Sequence, residues 1–188
     1  YARNQLPFGV AQVGRGYRNE ISPRGGLSRV REFTMAELEQ FILEGQKPDL
    51  SEGEDISLRI LSREMQENGE RPVDMTPVEA VEEGVVESEW IAYFLGRAQT
   101  FYERIGIRPG KLRFRQHQAD ELSHYASDCW DAETDVGSEE SDWLEVTGFA
   151  FRGCYDLEKH HEHSEGDYTV FQEFDEPREV EEISVDPD

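Results

Sequence analysis

The sequence predicts an α+β chain: an antiparallel β-sheet with flanking helices. Three observations carry this. Residues 8–21 hold Val10, Val13, Tyr17 and Ile21 in an extended, helix-poor stretch. Residues 112–115 (Leu-Arg-Phe-Arg) alternate apolar with charged. Residues 88–105 carry Ile91, Leu95, Ala98, Tyr102 and Ile105 at i, i+4, i+7, i+11 and i+14, one face of a helix.

Taken in order, residues 8–21 read as a strand. Ser22-Pro23-Arg24-Gly25-Gly26 reads as a turn or loop. Residues 27–42 resume as a second extended stretch or a helix; if extended, the pair is an antiparallel hairpin. Residues 46–86 are polar and acidic, with Pro48, Pro72 and Pro77, and read as a surface insertion with one or two short helices. The helix over 88–105 is stopped by Gly106. Residues 112–115, 128–133, 142–152 and 168–174 read as strands, and 119–126 as a short helix or turn. The tail from Asp175 is acidic with little core. The chain thus divides into a first hairpin region (8–42), the insertion (about 46–86), the remaining core (87–175) and a tail (176–188), all within one partial domain (1–188).

The 188 residues carry 19 Lys+Arg against 42 Asp+Glu, a formal net charge of −23. With 36% apolar and 11% aromatic residues the chain supports a core, which excludes wholesale disorder. No run of about 18 apolar residues exists, so no transmembrane helix is expected. The two cysteines, Cys129 and Cys154, make no disulfide framework and suit a reducing cytoplasm. The chain starts at Tyr1, without Met, and reads as a piece of a longer protein. Only three cations are lysines (Lys47, Lys111, Lys159). An acidic, Lys-poor chain suits concentrated salt, where the screening length falls to about 3 Å at 1 M; the expected source is a halophile. Such a charge argues against bulk attraction to nucleic acid. Residues 1–33 run the other way, with six arginines against Glu20 and Glu32.

Chemistry concentrates in that basic segment. On an extended strand Gln12, Gly14, Gly16, Arg18 and Glu20 share one face, and Arg29, Arg31, Phe33, Met35 and Glu37 share another. If the two faces coincide, they form a shelf of guanidiniums, carboxylates and one aromatic ring. Guanidiniums suit phosphate oxygens, and a ring offers a base a stacking surface. A nucleotide lying on a sheet fits this set. No G-x-x-x-x-G-K-[ST] loop is present. The competing reading is an arginine-rich hairpin paired with the acidic remainder.

Tyr17-Arg18-Asn19-Glu20, a loop, then Arg29-Val30-Arg31-Glu32-Phe33 resembles motif 2 of class II aminoacyl-tRNA synthetases. The longer string from Arg18 to Glu37 resembles the glycyl-tRNA synthetases of the archaeal and eukaryotic type. So do Leu112–His117 (LRFRQH), His124-Tyr125-Ala126, Asp128–Glu133 (DCWDAE), Trp143–Gly148 (WLEVTG), Arg152 and Cys154–Leu157.

The resemblance implies a class II synthetase core, here partial, that joins glycine to tRNA(Gly) through a glycyl-adenylate made with ATP. It implies that Arg18 is catalytic, gripping the ATP α-phosphate. Asn19, Glu20, Arg29, Val30 and Phe33 would line the ATP site, with Phe33 on the adenine. Glu145 and Val146 would meet the ATP, Glu145 carrying Mg²⁺. Glu37 would hold the glycine ammonium and Arg152 its carboxylate. The loop Ser22–Ser28 would touch the tRNA end. The resemblance further implies a cytoplasmic homodimer in full length. Motif 1 would lie before Tyr1, and motif 3 and the anticodon-binding domain beyond Asp188, so the piece alone should be weak or inactive. Rival readings are a catalytically dead synthetase-like module and a class II synthetase for another amino acid.

Several residues have plainer readings. Thr34-Met35-Ala36-Glu37 also fits a helix capping box. His160, His161, Glu162 and His163 suggest metal ligands, but adjacent histidines point apart, so a solvated loop is expected. Cys129 and Cys154 read as small buried residues, and Trp90, Trp130 and Trp143 as core. Glu145 and Arg152 have opposite strand parity; a bulge near Gly148 would bring them to one face.

Overall fold

The computed structural model describes residues 6–21, 30–137 and 143–170. Two compact units emerge. One comprises Tyr1–Gln46 with Thr169–Asp188, the other Lys47–Tyr168.

In the first unit, β1 (Phe8–Tyr17) and β2 (Glu32–Phe41) pair antiparallel without a break from Phe8↔Phe41 to Tyr17↔Glu32. The Phe8 and Phe41 rings stack at 4.9 Å and close the open end. At the other end the Arg18 amide donates to the Arg31 carbonyl at 3.0 Å, one step past the strands. β1 is shorter than the expected 8–21. β2 is extended through Thr34–Glu37, so the capping-box alternative does not hold. The Ser22–Gly26 turn and Arg29 fall outside the described residues.

The second unit is a five-stranded sheet in the order β4-β3-β5-β6-β7, with helices packed on it. Its strands are β3 (Leu58–Leu61), β4 (Val73–Met75), β5 (Leu112–Gln116), β6 (Asp128–Asp135) and β7 (Trp143–Phe151). Its helices are α1 (Arg63–Glu67), α2 (Pro77–Glu82), α3 (Glu89–Arg104) and α4 (Tyr155–His163). β3 and β5 run parallel and the other neighbours antiparallel. The sheet is therefore mixed, which corrects the purely antiparallel expectation. β3 and β5 can run parallel because a long connection, holding α1, β4, α2 and α3, lies between them.

Alternation sets the two faces of the sheet. Leu112, Phe114, Trp130 and Ala132 point to one side and are buried with Leu58, Ile60, Ile91, Ala92 and Leu95. The Phe114 and Phe149 rings meet edge to face at 6.3 Å. The hydroxyls of Tyr102 on α3 and Thr147 on β7 bond directly. Trp130 Nε1 donates to Asp128 Oδ2 at 2.9 Å, which satisfies its one buried donor.

The segment 46–86 contributes short helices as expected. It also supplies β3 and β4 and buries Leu58, Ile60, Met75, Ala80 and Val86, so its polar composition hides a share of the core. α2 starts at a reciprocal capping box, Thr76 with Glu79, with Pro77 at its first position. α3 spans Glu89–Arg104 and is capped by Ser88. Ile105, expected on its buried face, lies one residue past the helix and is 59% exposed. Gly106 follows at φ +101°, a conformation that favours glycine.

Residues 119–126 form turns. The histidines expected on a loop lie on α4 and are exposed. Cys129 is buried, but Cys154 is exposed at the N-cap of α4. Trp130 is core, whereas Trp90 and Trp143 are half-buried. The strand expected at 168–174 is not seen at 168–170, and the rest of it falls outside the described residues. Among the described residues no helix is long and apolar enough to cross a membrane.

Removing the Thr76 hydroxyl leaves the Glu79 amide without its cap. Thr76→Ala should cost about 1 kcal/mol in urea unfolding of this chain; an unchanged midpoint would show that the cap carries no stability.

Candidate functional site

The register of β1 and β2 decides which side chains meet. Gln12 faces Glu37, Gly14 faces Met35 and Gly16 faces Phe33. Directly paired residues on antiparallel strands share a face, so the two expected faces coincide. The opposite face carries Ala11, Val13 and Tyr17 with Leu38, Ala36 and Thr34. It is open: Val13 is 76% and Leu38 54% exposed.

The polar face has a definite order. The Arg18 guanidinium lies 5.5 Å from the centre of the Phe33 ring, within cation–π range. Arg31 Nε donates to the Glu20 carbonyl at 2.8 Å and ties the chain just beyond β1 to the start of β2. Gln12 Nε2 donates to Glu37 Oε2 at 2.6 Å. Gly16 makes room for the ring: a Cβ there would lie 2.7 Å from Met35 Sδ and 2.9 Å from Phe33 Cε2. Asn19 is exposed just past the strand, and Val30 lies half-buried just before β2. Of the residues singled out in the sequence, this unit brings Arg18, Phe33 and Glu37 onto one face and keeps Glu20 beside them through its backbone.

Glu145, Val146 and Arg152 belong to the second unit. The register of β6 and β7 shifts by one residue, Ala132 facing Thr147 and Glu133 facing Glu145. Val146 is the extra residue of this bulge. The slip puts Glu145 in phase with Gly148, which faces Asp131. Arg152 follows in phase with Gly148, just past the strand end. The bulge thus lies at Val146, two residues before the expected place, and cancels the parity difference between Glu145 and Arg152. The Arg152 guanidinium bonds the Asp156 carboxylate and lies 4.9 Å from the centre of the Tyr125 ring.

The same face of the second unit holds a charge ladder that the sequence reading missed. Arg113 Nε bonds Glu133 Oε2 at 2.6 Å, and Arg115 reaches Glu133, Asp131 and Glu121 at 3.1, 3.3 and 2.8 Å. His117 Nε2 meets Asp131 Oδ2 at 2.8 Å. Arg113 also lies 4.2 Å from the Trp143 ring centre. The signal was present as Arg-x-Arg-x-His in β5 and its flank against Asp-x-Glu in β6.

Among the described residues no group of three or more His, Cys, Asp and Glu could hold a metal ion. Glu145 is exposed, and its Oε1 and Asp131 Oδ1 lie 3.9 and 3.7 Å from where a Gly148 Cβ would sit. Asp131 is buried and engaged by Arg115 and His117, so of these two carboxylates Glu145 is the one exposed to solvent.

No protein-family profile matches the chain. It is 48% identical over its whole length to a glycine–tRNA ligase of Methanothermobacter thermautotrophicus, covering 33% of that protein. It is 46% identical to a glycine–tRNA ligase of Methanothrix thermoacetophila, over the whole chain and 32% of the relative. It is 43% identical to the mitochondrial glycine–tRNA ligase 1 of Saccharomyces cerevisiae, over 99% of the chain and 27% of the relative. The chain spans about a third of the length of the curated archaeal relatives it matches.

The Glu121 carboxyl is held below its ordinary 4.5 by the hydrogen bond from Arg115. Glu79 and Asp135 shift the same way, through Thr76 and Lys111. A carboxyl more acidic in the fold than in the unfolded chain adds stability above its unfolded value, and that stability is lost as pH falls through the folded value. Resistance to urea should therefore decline below about pH 4.5. Glu121→Gln should lose less than the parent over that window; identical slopes would remove the Arg115–Glu121 pair from the acid response.

Proposed function

This chain belongs to the glycine–tRNA ligase family, and from that premise we propose that it forms part of the centre that activates glycine with ATP and passes it to tRNA(Gly). The observation that carries the reading is the single face on which Arg18, Phe33 and Glu37 sit. Along β2 this face runs Phe33, Met35, Glu37, with about 13 Å of strand between the Cα atoms of Phe33 and Glu37. A flat aromatic surface, an open stretch and a carboxylate, with a guanidinium beside the ring, suit adenine, phosphate and an ammonium group.

Glycine's carboxylate oxygen attacks the α-phosphorus of ATP, and the bond to the departing pyrophosphate breaks. Arg18 is the catalytic residue: its guanidinium stabilises the charge that gathers on the α-phosphate oxygens. Phe33 stacks on the adenine, which requires the Arg18 guanidinium to share the ring with the base. By the resemblance, Asn19, Glu20, Arg29 and Val30 line the rest of the ATP site, and ATP contacts are also assigned to Glu145 and Val146. Glu37 pairs with the glycine ammonium and Arg152 with its carboxylate. Glu145 would hold the Mg²⁺ carried by ATP, which would supply neutralisation of phosphate charge. No covalent nucleophile is needed; the protein contributes position and charge. The glycyl group then moves to the tRNA 3′ end. Glycine offers no side chain to hold, so selectivity rests on excluding larger amino acids.

The architecture fits a partial class II core. The whole protein is proposed to be a cytoplasmic homodimer from a halophilic source, the last because acidic charge is dense and lysine scarce.

In the full-length enzyme Arg18→Ala should abolish glycine-dependent pyrophosphate exchange; normal exchange would exclude the catalytic role. Glu37→Gln should raise the glycine KM far more than the ATP KM, and equal effects would remove Glu37 from the amino-acid pocket. The unfolding midpoint should rise in molar KCl; indifference to salt would end the halophilic reading.

A further inference from the structure

Gln12 has no task in the reaction as proposed, yet it makes the shortest contact that the structure gives to Glu37. The two residues are cross-strand partners, and Gln12 Nε2 donates to Glu37 Oε2 at 2.6 Å. Both side chains are exposed. Burial therefore does not force the bond; each group could be satisfied by water. The next residue of β1 on that face is Gly14, where an added Cβ would find no heavy atom within 4 Å. The fold does not need a glycine there for space, unlike at Gly16. Glycine weakens a strand interior and often marks close approach of a ligand. The Gln12–Glu37 pair thus borders an open stretch of strand on the face that holds Phe33.

The chemistry of the donor is informative. A primary amide orients a carboxylate but carries no charge, whereas an arginine or lysine in its place would neutralise it. The amide engages one oxygen of Glu37, Oε2, and brings no positive charge beside it. That suits an ammonium ligand, which gains most from an undiluted charge of fixed direction.

We infer that Gln12 is a positioning residue for the amino-acid substrate: it fixes the Glu37 carboxylate that receives the ammonium, over the open stretch at Gly14. This rests on the reading of Glu37 given above. Gln12 acts through Glu37 and is not a catalytic residue.

The test is pyrophosphate exchange by the full-length enzyme with Gln12→Ala, Gln12→Lys, Glu37→Gln and the Gln12→Ala/Glu37→Gln double variant, with glycine KM, ATP KM and kcat measured for each. Gln12→Ala should raise the glycine KM about two- to tenfold, the range of one hydrogen bond, and leave the ATP KM within about twofold. Gln12→Lys should raise it further, because the added cation competes with the ammonium. In the Glu37→Gln background the Gln12→Ala change should have less than about a twofold effect, since its partner is already altered. An unchanged glycine KM in Gln12→Ala beside a raised one in Glu37→Gln overturns this inference alone. A silent Glu37→Gln overturns the pocket reading and this inference with it. Equal rises in both KM values, or additive effects in the double variant, make Gln12 merely structural and also overturn it.

Discussion

The pairing register of β1 with β2 is the constraint on which the first unit depends. A slip of one residue on a strand sends every side chain to the opposite face. The register seen, Gln12 against Glu37 and Gly16 against Phe33, sets a guanidinium, a ring and a carboxylate on one surface. It is held at one end by the stacked Phe8 and Phe41 rings and at the other by the Arg18–Arg31 backbone bond and the bond from the Arg31 side chain to the Glu20 carbonyl. Gly16 is part of the same constraint, because a side chain there would collide with Phe33 and Met35. An isolated two-stranded ribbon is marginally stable in water, so the ring stack and the terminal ties matter more here than in a wide sheet.

The second unit solves a different problem. Its sheet buries Leu112, Phe114, Trp130 and Ala132 on one side and keeps Arg113, Arg115, His117, Asp131 and Glu133 in register on the other. Taking charges out of water is costly unless each finds partners. Arg115 alone serves three carboxylates, so truncating it would take a cation from the buried Asp131 and Glu133 as well as from the exposed Glu121. The bulge at Val146 then sets the phase of β7, and with it which residues stand on the charged side.

Much of this was legible from residue order. The strict alternation in 112–115 and the 3.6-residue period in 88–105 announced β5 and α3, because each buries one face against a common core. The shared face of the first hairpin was legible as a condition, since parity is fixed within a strand while register is not. Other features lay beyond local pattern. Thr34–Glu37 carries a helix-start signature that long-range pairing overrode. The segment 46–86 looked like surface because its two strands are short, three and four residues, and sit among acids. The phase of Glu145 turned on one extra residue, which no composition reveals. Cys154 reads as a small core residue and instead stands exposed at the N-cap position of α4, with no side-chain capping bond. Arg29 and the Ser22–Ser28 loop lie outside the described residues, so their roles rest on the resemblance.

Glycine activation as proposed depends on which face of the first hairpin receives substrate. The direct measurement is a crystal structure of the full-length enzyme with a non-hydrolysable glycyl-adenylate analogue. The adenine should lie on Phe33, the phosphate mimic beside Arg18 and the ammonium against Glu37. An analogue seated on the Val13–Leu38 face, or away from both strands, would contradict it.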